Sequence, residues 1–256
     1  MKRKPLILLS NDDGVSAKGL RELIQCLQPI ADLIVVAPDG HRSGFSASIT
    51  SEVPLRCRKI SEQEGLKIYK CSGTPVDCVK LGLHALVPRI PDMVVGGINH
   101  GDNSSVNVHY SGTMGVVIEG CLKRIPSVGF SLCNHDSDAD FSPVLPYARR
   151  IVEEVLAKGL PEGTCLNVNF PALSAYRGVK ICHQNKGVWV NEFAESVHPL
   201  GETFYWLTGE YETLEAETRN SDYWALKEGY VAITPTRIDM TDYKVMDELE
   251  HWNLCV

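Results

Sequence analysis

The stretch Leu6-Ile7-Leu8-Leu9-Ser10-Asn11-Asp12-Asp13-Gly14 decides the fold of this 256-residue chain. Its apolar run has no polar break, which predicts a strand buried on both faces, in the middle of a parallel sheet. The run ends at two adjacent carboxylates, Asp12 and Asp13, and no Lys or Arg lies within four residues of either. Because the two charges repel each other, the sequence favours a divalent cation between them. The alternative is an Asx turn at Asn11 and Asp12, with Asp13 capping the next helix.

The next elements follow in an order typical of a parallel α/β sheet. After Gly14, apolar residues recur at three- and four-residue spacings, which predicts the buried face of a helix: Leu20, Leu23, Ile24, Leu27, Ile30 and Ala31. Residues 33–37 and 91–99 are further apolar runs, and Thr74 followed by Pro75 predicts the start of a helix between them. Strands that alternate with helices in this way indicate crossover units.

The predicted fold class is therefore α/β: a Rossmann-like, mostly parallel sheet with helices on both faces, plus a smaller β-rich C-terminal extension with a hairpin and a terminal helix. We assign residues 1–175 to the Rossmann-like domain and expect residues 166–170 to be the last strand of its sheet. From about Arg177 onwards aromatic and polar residues alternate, which is typical of antiparallel hairpins. Residues 176–256 are predicted to form the hairpin and the oligomerisation region.

Composition narrows the class of protein. A net charge of −7 argues against a nucleic-acid surface, and no apolar run is long enough to cross a membrane. The basic start is followed by only five apolar residues before Asn11, which is too short for a secretory signal, so we expect a cytoplasmic protein. The nine cysteines are scattered singly, which predicts reduced, mostly buried thiols and excludes a zinc ribbon.

Polar residues follow the carboxyl ends of several predicted strands, where ligands collect in open parallel sheets. Besides Asp12 and Asp13, these are Ser43, Asn99 and the Ser111-Gly112-Thr113 turn. Carboxylate, hydroxyl and amide oxygens suit a hard cation such as Mg²⁺, Mn²⁺ or Ca²⁺. The N–H groups at the helix start after Ser111 suit a phosphate, although an ordinary Ser or Thr N-cap is the alternative.

Five motifs in the first half of the chain, in this order, together resemble the SurE family of stationary-phase survival proteins, and a later strand, residues 229–235, is similar to a further family signature. The five motifs are Leu8-Leu9-Ser10-Asn11-Asp12-Asp13-Gly14, Ala37-Pro38-Asp39 with Arg42-Ser43-Gly44, Gly73-Thr74-Pro75 with Asp77-Cys78, Gly97-Ile98-Asn99, and Tyr110-Ser111-Gly112-Thr113.

The resemblance implies a metal-dependent phosphatase that hydrolyses nucleoside 5′-monophosphates, with 3′-monophosphates and short polyphosphate as further substrates to test. It implies one divalent metal ion held by Asp12, Asp13, Ser43 and Asn99, and a catalytic domain in residues 1–175. It also implies that Asn103, Ser111, Gly112 and Thr113 face the substrate phosphate. Family members form homodimers, often paired into homotetramers, by exchanging C-terminal elements.

The chain departs from the family pattern after Gly101, where the family often has Pro-Asn-Leu-Gly and this chain has Asp102-Asn103-Ser104-Ser105. Asn103 is retained, but the flanking loop is expected to differ in shape. Asp13 could also act as base for the attacking water, and the sequence does not separate that role from ligation. His100 and His109 are candidates for a general acid by proximity alone, and a structural role is favoured for each.

Rival functions lack their motifs. A haloacid-dehalogenase-type phosphatase requires Asp-x-Asp, but the aspartates of this chain are adjacent. A dinucleotide-dependent oxidoreductase requires Gly-x-Gly-x-x-Gly after the first strand, and residues 13–19 do not supply it. The remaining alternative, from a different functional class, is a non-catalytic sensor that binds metal and nucleotide, and an assay of phosphate release distinguishes it from an enzyme.

Overall fold

In the computed structural model, which describes residues 3–215 and 218–254, the opening apolar run forms β1 (Leu6–Ser10) in the interior of the main sheet. All five of its residues are buried. The strand is paired in parallel on both sides, with β2 (Asp32–Pro38) and β5 (Met93–His100). The predicted central parallel strand is therefore confirmed.

The other elements of the described residues alternate along the chain much as predicted. The remaining strands are β3 (Cys57–Gln63), β4 (Leu66–Cys71), β6 (Ser127–Leu132), β7 (Thr164–Phe170), β8 (Val179–Ile181), β9 (Gly187–Val190), β10 (Phe193–Val197), β11 (Thr203–Leu207), β12 (Glu210–Thr213) and β13 (Val231–Arg237). The helices are α1 (Lys18–Leu27), α2 (Pro75–Leu81), α3 (Gly112–Leu122), α4 (Leu145–Lys158), α5 (Asp222–Lys227) and α6 (Tyr243–Leu249). A π-helical turn (Gly82–Leu86) follows α2, and a 3₁₀ helix (Ser105–His109) precedes α3.

The described part of the chain builds a nine-stranded sheet in the order β3-β4-β2-β1-β5-β6-β7-β13-β8. The six strands from β4 to β7 are parallel. Helices α1 and α4 pack on one face around Leu9 and Val35, and α2 and α3 pack on the other around Leu8 and Val36. The Rossmann-like α/β class with helices on both faces is confirmed.

The expectation that residues 166–170 form the last strand of the main sheet is wrong. Strand β13 pairs antiparallel with β7, and β8 then pairs with β13, so two strands from the C-terminal region extend the sheet. The reason is that β7 still has a free edge, which a strand more than sixty residues later in the chain covers. The division at residue 175 into a catalytic domain and an oligomerisation region stays a prediction.

The aromatic C-terminal region forms two hairpins, one from β9 with β12 and one from β10 with β11. In the first hairpin, Trp189 packs against Tyr211, with ring centroids 6.0 Å apart, and Tyr211 packs against Tyr223. The second hairpin projects its large side chains into solvent: Phe193, Val197, Phe204, Tyr205, Trp206 and Leu207 are all exposed. The chain itself therefore covers only the first hairpin.

Helix α2 begins as the sequence predicted. The Thr74 hydroxyl accepts a hydrogen bond from the Asp77 N–H, the Asp77 carboxylate accepts one from the Thr74 N–H, and Pro75 is the first helical residue. This reciprocal capping box satisfies two donors that the helix itself leaves free. Among residues 3–215 and 218–254 no helix is both long and apolar enough to span a membrane.

Candidate active site

The two carboxylates lie at the carboxyl end of β1, where the chain turns away from the sheet. Asp12 and Asp13 are 3% and 7% exposed. The backbone oxygen of Asp12 accepts a hydrogen bond from the Arg42 N–H at 2.7 Å, which joins this turn to the loop after β2. The strand ends therefore bring the turn and the Ser43 loop together, as the sequence predicted from their common position.

Asp12 lies directly against the start of α3. Its Oδ1 accepts a hydrogen bond from the Thr113 hydroxyl at 2.5 Å, and the Thr113 side chain is fully buried. A Cβ atom at Gly112 would lie 2.7 Å from the Asp12 Cβ, closer than two carbon atoms can approach. Gly112 has no positive φ, so the position needs glycine for its small size. Small and hydroxylated residues open α3 because the carboxylate of Asp12 occupies the adjacent space.

Burial controls the charge of Asp12. Removal from water raises its pKa, the hydrogen bond from Thr113 lowers it and the neighbouring negative charge of Asp13 raises it, with a net pKa of about 6. Among the described residues, His41 alone forms an ion pair with either carboxylate. Its Nδ1 lies 3.7 Å from Asp13 Oδ1, and its side chain is 80% exposed. The two carboxylates therefore have little compensating positive charge from the protein.

Asp13 faces β5. Its Oδ2 accepts a hydrogen bond from the His100 N–H at 3.0 Å. The N-cap of α1 is instead Ala17, whose side chain makes no capping bond. The Asx-turn alternative, in which Asp13 caps the next helix, is therefore wrong in this detail, although the Asn11 amide nitrogen does bond locally to the Gly14 oxygen at 3.0 Å.

Asn99, near the end of β5, is buried, and its amide nitrogen donates to the Gly101 oxygen at 2.8 Å. This bond fixes the orientation of the side chain and leaves the amide oxygen as the atom that can ligate a cation. Ser43 is exposed on the loop after β2 and lines one cavity together with Asp13. The four predicted metal ligands thus come from three segments that meet at one edge of the sheet.

The cavity at this edge has a volume of about 630 Å³. Several of its lining residues were not singled out from the sequence. They are His41, His135, Lys18 and Arg21. His135 follows the carboxyl end of β6, so the same rule that found Asn99 also selects His135. Lys18 and Arg21 project from the first turn of α1, and the Lys18 ammonium pairs with the Asp138 carboxylate at 3.0 Å.

Asn103 lies in a buried network of polar side chains. Its amide nitrogen donates to the Ser131 hydroxyl at 2.6 Å, and its backbone N–H donates to Asn169 Oδ1 at 2.7 Å. The Asn167 amide donates to the backbone oxygen of Asn103. The donor group of Asn103 is therefore engaged within the protein, and its contact with a phosphate stays a prediction.

Ser111 is the N-cap of α3, and its hydroxyl oxygen accepts a hydrogen bond from the Met114 N–H at 2.9 Å. The N-cap interpretation is confirmed. The cap leaves the N–H groups of Gly112 and Thr113 without a partner inside the helix, as at any helix start, and these two groups can bind an anion. An N-cap and an anion site are therefore compatible at this turn.

The two histidines considered as general acids are in different places. His100 lines the cavity, with its Nδ1 2.9 Å from the Asp136 oxygen and its ring edge-on to Phe141. His109 lines a second cavity together with Ser111 and His183. His109 is thus not part of the wall that contains Asp13, and His100 is anchored by a backbone oxygen.

The arrangement fits a hard divalent cation. Two buried carboxylates have little compensating charge, and the amide oxygen of Asn11 is buried without a protein partner. In the described part of the chain, no group of three or more His, Cys, Asp or Glu residues could hold a metal ion, so a site built here depends on neutral oxygens beside Asp12 and Asp13. Such a donor set suits Mg²⁺, Mn²⁺ or Ca²⁺ better than Zn²⁺.

The sheet and this edge define an α/β protein of the Rossmann-like class, with a candidate ligand site at the carboxyl ends of the parallel strands. The family model for survival protein SurE matches residues 7–191. A Phocaeicola vulgatus protein named 5′-nucleotidase SurE is 64% identical over 253 residues, 99% of this chain and 98% of that protein. The chain belongs to the SurE family.

Two further similarities extend over the chain. A Bacteroides thetaiotaomicron protein, also named 5′-nucleotidase SurE, is 56% identical over 96% of this chain and 95% of its own length. The crystal structure of a SurE protein from Aquifex aeolicus is similar with a TM-score of 0.84 and 37% identity, over 96% of this chain and 99% of that one. The similarity includes the C-terminal region, where the sequence motifs were sparse.

We expect Asp12→Asn to stabilise the metal-free protein at neutral pH. The folded-state pKa of about 6 lies above the ordinary value of 3.8, so the folded state binds this proton more tightly than the unfolded state does. Ionised Asp12 thus costs about 3 kcal/mol of stability above pH 6, and the cost disappears as pH falls from 6 towards 4. Urea unfolding should show a more stable variant at pH 7.5 and equal stabilities near pH 4. A stability difference that does not change with pH would contradict the buried charge.

We expect Thr113→Val to weaken cation binding about 10-fold, because the variant keeps the side-chain volume but loses the hydroxyl that orients Asp12. Thr113→Ser, which retains the hydroxyl, is the matched control and should bind like the parent. Titration with Mn²⁺, with the free ion counted by electron paramagnetic resonance, measures the affinity directly. Equal affinities of the Val and Ser variants would show that the hydrogen bond does not orient the carboxylate for a cation.

Proposed function

We propose that this protein is a metal-dependent phosphatase that hydrolyses nucleoside 5′-monophosphates to nucleoside and phosphate. The observation that carries the proposal is the pair of buried, uncompensated carboxylates beside the N-terminus of α3. The relatives named 5′-nucleotidase SurE, which align over nearly the whole chain, support the same activity. Nucleoside 3′-monophosphates and short polyphosphate are proposed as further substrates.

In this proposal Asp12, Asp13, Ser43 and Asn99 hold one divalent ion. When bound, Mg²⁺, Mn²⁺ or Ca²⁺ supplies positive charge for the phosphoryl oxygens and lowers the pKa of a water molecule. The affinity of the site depends on pH, because a cation competes with the proton on Asp12, whose pKa burial raises to about 6.

In this proposal the protein's own groups bind the phosphate and accept the proton from water. The N–H groups of Gly112 and Thr113 donate hydrogen bonds to the phosphate oxygens, and the partial positive charge of the α3 N-terminus stabilises their negative charge. Asp13 lines the cavity, so its carboxylate is the one placed to accept a proton from an attacking water. Arg21 on the cavity wall attracts an anionic substrate.

Phosphate release tests the proposal. We expect release from nucleoside 5′-monophosphates with Mg²⁺, Mn²⁺ or Ca²⁺, no release in chelator, and recovery when metal is restored. The full panel adds 3′-monophosphates, short polyphosphate and an artificial aryl phosphate. Asp13→Asn should lower the rate at least 100-fold, because a ligand and a proton acceptor are both lost. Asp32→Asn, at the amino end of β2 and away from this site, is the matched control and should leave the rate unchanged.

Two outcomes separate the alternatives. Tight binding of a nucleoside monophosphate and metal, with no phosphate released from any compound of the panel, would identify the non-catalytic sensor. Full release in the presence of chelator would end the metal hypothesis while leaving a phosphatase. We further infer that the protein acts in the cytoplasm, since the eight described cysteines are free thiols and such thiols persist in reducing compartments; Cys255 lies outside the described residues.

The exposed hairpin of β10 and β11 supports a proposed homodimer, or a homotetramer, with exchanged C-terminal elements. Phe193, Tyr205 and Trp206 are each about two-thirds exposed, at 65%, 64% and 66%. Helix α6 likewise buries none of its residues within the chain. Apolar surface of this extent on a single chain is typical of a protein–protein interface, and an exchanged arm closes a symmetric dimer.

We expect light scattering to give at least twice the mass of one chain at micromolar concentration. Replacing residues 193–207 with a short Gly-Ser linker should yield a smaller assembly, because it removes the exposed aromatic face. The replacement leaves Trp189 and Asp222 in place, and these contact the loop before α3. Ile60→Ser, on the exposed edge strand β3, is the control and should not change the mass. A fully active monomer of the parent chain would contradict the exchange.

A further inference from the structure

Three cysteines outside the candidate active site meet at one end of the sheet, under α2. Cys57 on the edge strand β3 and Cys71 on β4 are direct cross-strand partners. Cys78 lies in α2, in the same apolar cluster as Cys71, and Cys57 packs against that cluster. All three thiols are therefore on the same face of the sheet, and none has a role in the proposed phosphatase site.

The backbone geometry of the first pair suits a disulfide. The Ser72 N–H donates to the Arg56 oxygen at 2.9 Å, which makes Arg56 and Ser72 a hydrogen-bonded pair of the antiparallel ladder. Cys57 and Cys71, one position further along, are then a non-hydrogen-bonded pair. The Cα atoms of such pairs lie about 4.5 Å apart, within the range of roughly 4.4–6.8 Å that disulfides span.

The surroundings make Cys71 a reactive thiol. The Cys78 thiol donates a hydrogen bond to Cys71, which lowers the pKa of Cys71 to about 7 in spite of burial. The pKa of Cys78 is raised correspondingly, because Cys78 keeps its proton for that bond. Cys71 is fully buried, whereas Cys57 is only half-buried and is the member of the pair that a small solute can reach.

A second thiol pair in the chain provides an internal comparison. Cys121 and Cys165 lie in one apolar cluster, but both are buried, at 5% and 0% exposure. Burial raises the pKa of Cys165 to about 12, so little thiolate is present at neutral pH. Both members of this pair are closed to solvent. In the first pair, burial and the neighbouring Cys71 raise the pKa of Cys57, but Cys57 is accessible and Cys71 has the lowered pKa.

We propose that Cys57 and Cys71 form a reversible disulfide in response to hydroperoxides. The Cys57 thiol gives up its proton as its sulfur takes an oxygen atom from hydrogen peroxide: the O–O bond breaks, an S–O bond forms and hydroxide leaves. The Cys71 thiolate then attacks the Cys57 sulfur, forming the S–S bond and releasing the second hydroxide. The two thiol protons convert both hydroxides to water, so two thiols and one peroxide give one disulfide and two waters.

The proposed disulfide lies next to the loop that carries Ser43. The Cys71 oxygen accepts a hydrogen bond from the Asp39 N–H at 2.7 Å, and Asp39 pairs with Arg42 next to Ser43. The covalent link fastens the edge strand β3 to β4, the strand whose end anchors this loop. A soft-metal site on these three cysteines is the alternative, but the described residues include no such ligand group.

The test treats the full-length chain with hydrogen peroxide, blocks the remaining thiols by alkylation and maps the tryptic peptides by mass spectrometry. Trypsin cuts on both sides of Cys57 and releases residues 71–80 as one peptide that holds Cys71 and Cys78. A link to Cys57 adds its dipeptide to this peptide, whereas a link between Cys71 and Cys78 only removes two hydrogen atoms from it. Fragmentation of the linked peptide assigns the partner of Cys57.

We expect a Cys57–Cys71 link that dithiothreitol reverses, with a melting temperature about 5 °C higher than that of the reduced chain. Cys57→Ser should abolish the link and the shift, and Cys26→Ser, a half-buried thiol on α1, should change neither. Oxidation of Cys57 to sulfinic acid without a link, or a link confined to Cys71 and Cys78, would overturn the proposal. The mapping of the parent chain decides this even if a variant is unstable.

Discussion

Two negative charges held at the end of a buried strand are the constraint on which this structure depends. The burial that makes β1 a central strand also removes Asp12 from water and raises its pKa to about 6. The protein offers this carboxylate one short hydrogen bond, from Thr113, and offers Asp13 a backbone N–H and a distant, exposed imidazole. The buried negative charge therefore lowers the stability of the metal-free folded state, and a bound cation would neutralise that charge and restore the stability.

The loop before α3 depends on the C-terminal region as well as on the sheet. The buried Asp222 carboxylate accepts hydrogen bonds from both the N–H and the hydroxyl of Ser105, and the Trp189 indole donates to Asn107. Ser105 has a positive φ of 54°, a conformation that such contacts help to hold. The predicted catalytic and oligomerisation regions are therefore joined by polar contacts, and the shape of the edge that carries Ser111 is set by residues late in the chain.

Several features of the edge could not be read from the sequence. The side chain of Thr113 was assigned to a phosphate, but its hydroxyl bonds to Asp12, because α3 packs closely enough on the β1 turn to place the two in contact. Strand β13 extends the main sheet because β7 has an open edge, which no local pattern reveals.

The sequence by itself determined the central strand, the helix starts and the order of the crossover units, because these follow from apolar periodicity and capping within a few residues, as at Leu6–Ser10 and Thr74. It also determined that Asp12, Asp13, Ser43 and Asn99 lie at one edge, since parallel strands share the direction of their ends. Only the tertiary structure decided which hydrogen bonds those side chains make, which strands complete the sheet and which aromatic residues stay exposed. These depend on distances between segments far apart in the chain, which local patterns do not encode.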